Sequence, residues 1–92
     1  MTATSPQTAT MANVASSASS VNLFAASDVR GRAIFNDSTA VLYVKFGATA
    51  SATSYTVQLA AGAYYEFPQP AYGGQVDGIW ASANGNARTT QW

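Results

Sequence analysis

This 92-residue sequence contains no cysteine and no histidine, and it has only four basic and four acidic residues. Without cysteine it forms no disulfide and no thiolate metal site. Without histidine it lacks the usual general base at neutral pH, and a serine nucleophile has no imidazole to activate it. A balanced, sparse charge also leaves no basic surface of the kind that nucleic-acid binding requires. We therefore expect neither an enzyme nor a partner of DNA or RNA.

The few carboxylates offer the remaining route to catalysis or metal binding. Glu66 and Asp77 are the pair that glycoside cleavage would need. The alternation around each of them predicts a side chain directed away from the core, at an ordinary solvated position. Four scattered carboxylates do not make a metal site, and no glycine-rich phosphate loop occurs. We expect no catalytic residue, no cofactor and no metal.

Large aliphatic side chains are scarce as well. Alanine contributes 19 residues, whereas valine, isoleucine and leucine together contribute 12 and the aromatics 11. A chain of this length forms one small domain that buries roughly 60% of its unfolded surface. Low charge with so little core material favours a protein that is docked in an assembly. No signal-peptide pattern and no run of 18 apolar residues occurs, so we expect synthesis in a cytoplasm and no membrane partner.

Residues 1–20 differ in composition from the rest of the chain. Alanine, serine and threonine make up 14 of these residues, and the first charge is Asp28. Such a segment has too little apolar surface to offset the entropic cost of ordering. It is either a flexible tail or an extended arm that becomes ordered against a neighbouring subunit, with Met11 and Val14 as anchors. We divide the chain into this arm and a β-domain over residues 21–92.

Residues 21–92 alternate apolar and polar side chains in short runs separated by turn residues, which is typical of antiparallel strands. The sequence predicts an all-β fold, a small antiparallel β-sandwich or barrel of six to seven strands with an extended N-terminal arm. Asn36 and the three polar residues after it predict a turn, and Asn84-Gly85 predicts a hairpin. The runs lie at residues 21–26, 31–36, 40–46, 55–59, 64–67, 76–82 and 87–92. Within these runs, alternation directs Leu42, Val44, Tyr55 and Trp80 toward the core.

Partner-binding candidates come from two patterns. Aliphatic and aromatic residues where low complexity gives way to alternation should connect the arm to the domain, and tyrosine and tryptophan suit interfaces because they add large area with few rotors. Because Tyr64 and Tyr65 are adjacent in a strand, one faces the core and the other is exposed or covered by a partner. The candidates are Met11, Val14, Val21, Leu23, Phe24, Tyr64, Tyr72 and Trp92.

Residues 31–91 resemble a family of small structural proteins encoded in tailed-phage and prophage genomes. The resemblance is carried by Arg32 with Asn36-Asp37-Ser38, Leu42-Tyr43-Val44 ending in Gly47, Tyr55-Thr56-Val57 leading to Leu59 and Gly62, Tyr64-Tyr65-Glu66, Tyr72-Gly73-Gly74 and Gly78-Ile79-Trp80. The N-terminal arm lies outside it.

This resemblance implies a virion protein, and its size fits two roles. A head decoration or cement protein sits on the capsid surface, commonly as a trimer, and clamps neighbouring capsomers of the major capsid protein. The other role is a tail, neck or fibre-base subunit. A receptor or glycan-binding module that stacks sugars on Tyr64, Tyr72, Trp80 or Trp92 is a further alternative from the residues themselves. The first role is the one that we expect, with synthesis in the host cytoplasm.

Overall fold

The computed structural model describes residues 5–92, in which all regular secondary structure is β-strand. This confirms the predicted all-β class. Seven of the strands correspond to the predicted runs, and one more than the expected six to seven is present. The strands are β1 (Thr10–Ala15), β2 (Val21–Phe24), β3 (Arg32–Ser38), β4 (Leu42–Phe46), β5 (Val57–Leu59), β6 (Tyr64–Glu66), β7 (Val76–Trp80) and β8 (Gly85–Gln91).

The strands form two four-stranded sheets in which every pairing is antiparallel. Sheet I has the order β1-β8-β3-β6, and sheet II has the order β2-β7-β4-β5. Of the strands that follow one another in the chain, only β4 and β5 pair with each other. Every other connection crosses from one sheet to the other, so that buried residues of both sheets form one core.

The additional strand is β1, which lies within residues 1–20. All six of its residues pair with β8, and the boundary that we drew at residue 20 falls between β1 and β2. Val14 is the β1 side chain that packs against the core, while most of the strand is exposed. Backbone hydrogen bonds therefore define β1, and these bonds leave little trace in the pattern of side chains.

The core follows the alternation of the central strands. Leu42 and Val44 of β4 are fully buried, as their spacing predicts, and Trp80 of β7 is buried beside them. Phe67, which follows β6, packs edge-on against Phe24 and stacks on Phe46 of β4. Aromatic rings thus fill space that a chain with few aliphatic residues leaves open.

Two local expectations from the sequence are wrong. Asn84-Gly85 does not form a hairpin, because β7 belongs to sheet II and β8 to sheet I. Gly85 is nevertheless required, since it has a φ of 91° and a Cβ there would lie 2.5 Å from the Asp37 carbonyl oxygen. Tyr55, which alternation directs inward, lies outside β5 and is 41% exposed.

Asn36 is a buried polar connection between the sheets and not a turn residue. Its Nδ2 donates to the carbonyl oxygens of Ala40 at 2.9 Å and Leu59 at 3.1 Å. Its Oδ1 accepts hydrogen bonds from Trp80 Nε1 at 3.2 Å and from Ser38 Oγ at 2.7 Å. Because Asn36 shares the inward side of β3 with Ile34, full burial leaves its amide no water, and these partners replace it.

Arg32 is the second buried polar connection, at the start of β3. It is fully buried, and its guanidinium lies 4.7 Å from the centre of the Phe24 ring. The guanidinium donates to the backbone oxygens of Ala25, Tyr72 and Gly74 at 2.7 to 2.9 Å, and Nε donates to Gln91 Oε1 at 3.2 Å. Burial lowers the pKa of Arg32, and the charge of Tyr72 partly offsets this effect. One side chain thus fixes two loops and the last strand.

Candidate functional site

Four of the partner-binding candidates belong to the interior of the chain's own fold. Leu23 and Phe24 of β2 are buried in the core, where Phe24 packs against Phe67. Val14 and Val21 are partly buried and pack against the same core. These side chains therefore stabilise the fold, and none of them offers a large exposed surface to a partner.

The aromatic candidates do not form a common stacking surface. Tyr72 stacks on Phe46 with their ring centres 4.9 Å apart, and Trp92 packs so closely over Gly31 that a Cβ there would overlap its ring. Trp80 is buried. Tyr64 is the exception, with 62% of its surface exposed. Of the two adjacent tyrosines, Tyr65 packs against the core, as one of the pair had to.

Met11 and Tyr64 lie on the same surface, the side of sheet I that faces away from the core, on its two opposite edge strands β1 and β6. Register places Phe35 of β3 on that same side, directly opposite Tyr64 of β6. Met11, Tyr64 and Phe35 are 74%, 62% and 37% exposed, and they are three of the four large hydrophobic residues exposed in the described chain. We call this surface the outer face; it comprises Met11, Asn13, Ala15, Ala33, Phe35, Asp37, Tyr64, Glu66, Asn86, Arg88 and Thr90.

Phe35 is a functional candidate that the sequence reasoning missed. It occupies the middle of a predicted strand, where a phenylalanine is usually assigned to the core. Its position in the alternation of β3 was the available signal. Ile34 and Asn36 on either side are both fully buried, and consecutive residues of a strand face opposite sides of the sheet. Phe35 and Ile34 cannot both face the core, and the structure directs Phe35 outward.

Two polar contacts border these apolar side chains. Arg88 lies between Asn13 and Phe35 in register, and its Nε donates to Asp37 Oδ2 at 2.8 Å. Tyr64 Oη donates to Glu66 Oε1 at 3.3 Å. Desolvation and, to a lesser extent, the Glu66 carboxylate raise the pKa of the Tyr64 phenol above its usual value. The outer face therefore combines exposed apolar side chains with polar ones, and Arg88 and Asp37 form an ion pair within it.

The surface has a shallow depression where β1 joins β8. Its volume is about 410 Å³, and Met11, Asn13, Arg88 and Thr90 are among its lining residues. A groove of this kind between an exposed methionine and an arginine suits a protruding side chain of a partner better than a flat contact. It extends the apolar surface of Phe35 and Tyr64 toward the edge of sheet I.

On the opposite surface of the molecule, the outer side of sheet II, the chain itself covers part of the strands. Asp77 lies on the side away from the core, as expected, but it is buried and not solvated. Its carboxylate accepts hydrogen bonds from Gln75 Nε2 at 3.0 Å and Asn22 Nδ2 at 3.4 Å. Lys45 Nζ donates to Ser54 Oγ at 2.8 Å, which holds the β4–β5 loop against this side.

The described chain shows no metal-binding cluster and no membrane-spanning helix, and the comparisons with known proteins find no match. Residues 5–92 contain no group of three or more acidic side chains placed to bind a metal ion. No helix in the described part of the chain is long and apolar enough to cross a membrane. Comparisons with protein-family models, curated proteins and solved structures find no match for this chain.

Proposed function

We propose that this protein is a non-enzymatic decoration (cement) protein of a tailed-phage head, which binds the outer surface of the assembled capsid through its outer face. The observation that supports a docking role is the exposure of Met11, Phe35 and Tyr64 on one side of sheet I. Phe35 and Tyr64 lie opposite each other in register, and adjoining exposed apolar side chains commonly mark an interaction site. The resemblance of residues 31–91 to phage structural proteins supports the capsid as that partner.

The proposed mechanism is thermodynamic linkage. A protein that binds the assembled shell, but not its dissociated subunits, stabilises the shell by mass action. The chain needs no reactive group for this role, only a rigid surface. Arg32 and Asn36 supply the rigidity because each fixes several segments of backbone behind the outer face. We thus propose that the β-sandwich holds neighbouring capsid subunits together, with the major capsid protein as its partner.

Three further features belong to the same proposal. The resemblance implies a homo-oligomer, commonly a trimer, on the capsid surface after synthesis in the host cytoplasm. Residues 1–20 are proposed to act as an extended arm that reaches a capsid subunit or a neighbouring copy. Because β1 lies in sheet I, this role falls to the residues on either side of it and to its outward side chains.

A tail, neck or fibre-base subunit is the alternative virion role. It would use the same outer face, so copy number separates the two roles: hundreds of copies per particle indicate decoration, whereas a dozen or fewer exclude it. We do not propose glycan binding. Of the four aromatic residues that it would use, only Tyr64 is substantially exposed.

The test is a binding assay with purified capsids that lack this protein. The variant carries Met11→Ser, Phe35→Thr and Tyr64→Ser, which remove the apolar surface without altering the core. Burying such side chains contributes about 1.5 to 3 kcal/mol each when complete, so we expect affinity to fall at least about 100-fold. The matched control is Tyr55→Ser, because Tyr55 is also an exposed tyrosine, at 41%, but lies outside the outer face. We expect the control to bind normally.

Equal binding by the triple variant and the wild type would reject the outer face as the docking surface. A cryo-EM map of the particle then locates the protein directly. Density at threefold or quasi-threefold positions on the shell supports the decoration role. Density confined to the tail or portal axis rejects it and favours the alternative virion role.

A further inference from the structure

The free edge of sheet I carries backbone groups that no described strand pairs. In the register of β1 with β8, Ser16 follows in sequence opposite Gly85, and its N–H donates to the Gly85 oxygen at 3.0 Å. Hydrogen-bonding direction alternates along an antiparallel strand, so even-numbered residues of β1 bond to β8. The N–H and C=O groups of Met11, Asn13 and Ala15 therefore point away from β8, along the outside of the sheet.

The other sheet edges in residues 5–92 each have a feature that hinders pairing with another strand. β5 and β6 are three residues long, and β6 carries the charged Glu66 shortly before Pro68. β2 is four residues long and irregular, with a register shift between Asn22 and Phe24. Short strands, charges, prolines and bulges are the devices by which proteins protect sheet edges. β1 has six residues, no charge, no proline and an unbroken register.

We propose that β1 pairs with β1 of a second copy of this chain, antiparallel, about a twofold axis at Asn13. Opposed residues must face the same side of a sheet, so the two residue numbers of each pair must add to an even number. With the axis at Asn13, Met11 lies opposite the second copy's Ala15, and Asn13 lies opposite its own equivalent. The free groups of all three residues then bond to one another, and a large side chain adjoins a small one.

The core side of β1 also favours a second copy. A small opening of about 100 Å³ lies between the sheets beside this edge, and Ala12, Leu23 and Phe24 are among the residues that line it. In the proposed register the second copy's Val14 lies opposite Ala12 and brings an apolar side chain next to the opening.

The pairing has a defined outcome. Each β1 has one free edge, so association by this route closes at two copies and joins the two sheets I into one continuous eight-stranded sheet. The twofold axis is perpendicular to the sheet, so both outer faces lie on the same side of the dimer. The inference concerns the free chain and does not rest on capsid binding, although it would double the docking surface.

Sedimentation equilibrium of the full chain tests the proposal, with Asn13→Pro as the main variant. Proline removes the outward N–H and blocks strand pairing, whereas every N–H that bonds to β8 remains. We expect a dimer for the wild type and for the control Asn13→Ala, and at least a tenfold increase in the dimer dissociation constant for Asn13→Pro. Wild-type protein that stays monomeric over the concentration range, or an Asn13→Pro dimer of unchanged affinity, would overturn the proposal.

Two more variants test the register and do not depend on how well the proline variant folds. Asn13→Lys and Asn13→Asp each place like charges opposite each other across the axis, and an equimolar mixture places opposite charges there. We expect each variant alone to dimerise more weakly than the mixture, which forms a heterodimer. Thr90→Lys, on β8 and the same outer face, should dimerise like the wild type. A mixture no stronger than its components, or a trimer insensitive to both charges, contradicts this pairing.

Discussion

The interior between the sheets and the outer face of sheet I each contain exceptions to the usual distribution of side chains. Inside, Arg32 and Asn36 are fully buried polar groups, while outside, Met11 and Tyr64 are mostly exposed. Every buried side-chain nitrogen and oxygen in the described chain has a hydrogen-bond partner. The exposed apolar side chains of the outer face, in contrast, are not covered by other residues of the described chain. The buried polar groups fix the fold, and the exposed apolar groups are those that we propose bind a partner.

The largest effect should come from the interior, at Arg32. Arg32→Met keeps a side chain of similar length but leaves the carbonyl oxygens of Ala25, Tyr72 and Gly74 without a donor. Since buried groups without partners are costly, we expect the free energy of unfolding to fall by about 3 to 5 kcal/mol. Urea denaturation measures it, and Arg88→Met on the outer face is the exposed control. An Arg32→Met variant as stable as the control would remove the distinction between interior and surface.

A smaller loss is expected at Asn36, which joins sheet I to sheet II. Asn36→Ala removes the acceptor of Trp80 Nε1 and the amide donor to the carbonyl oxygens of Ala40, Leu59 and Ala60, which should cost about 2 to 4 kcal/mol. A cycle with Trp80→Phe isolates the contact between these two side chains, because phenylalanine keeps a ring but has no N–H. Additive losses in the double variant would show that Asn36 and Trp80 act independently.

The smallest effect is expected on the outer face itself, at the ion pair between Arg88 and Asp37. Both side chains are largely exposed, so water screens their attraction. Holding the two side chains in one geometry also costs conformational entropy. A double-mutant cycle with Arg88→Gln and Asp37→Asn should give a coupling of about 0.2 to 1 kcal/mol that decreases in high salt. A larger coupling that persists at high salt would indicate that this charged pair stabilises the fold as the buried polar groups do.

The outer side of sheet II also differs from the outer face of sheet I. There the β4–β5 loop and the hydrogen bonds of Asp77 occupy part of the surface, and Tyr55 is the one large hydrophobic residue of the described chain that is exposed on this side. The exposed tyrosine on this side, Tyr55, packs against Tyr43 with ring centres 5.0 Å apart. Large exposed hydrophobic side chains are thus more numerous on the outer face of sheet I than on the outer side of sheet II.

The sequence predicted much of the local structure. Alternation located seven strands and the inward residues Leu42, Val44 and Trp80, because burial of one strand face imposes a period of two. It did not locate β1, whose small residues bury little apolar surface. It also assigned Leu23 and Phe24 to a partner, although the chain's own core contains both. Of the candidate site, it identified Met11 and Tyr64 but not Phe35, nor the fact that all three lie on one side of sheet I.

The sequence by itself determined the all-β class, because the spacing of apolar residues is a local property of each strand. Only the tertiary structure decided which strands share a sheet, since pairing joins residues as distant as Thr10 and Gln91. That pairing places Asn36 between the sheets and Phe35 beside Tyr64. Sequence gives each side chain its face, and the order of strands in the sheet gives it its neighbours.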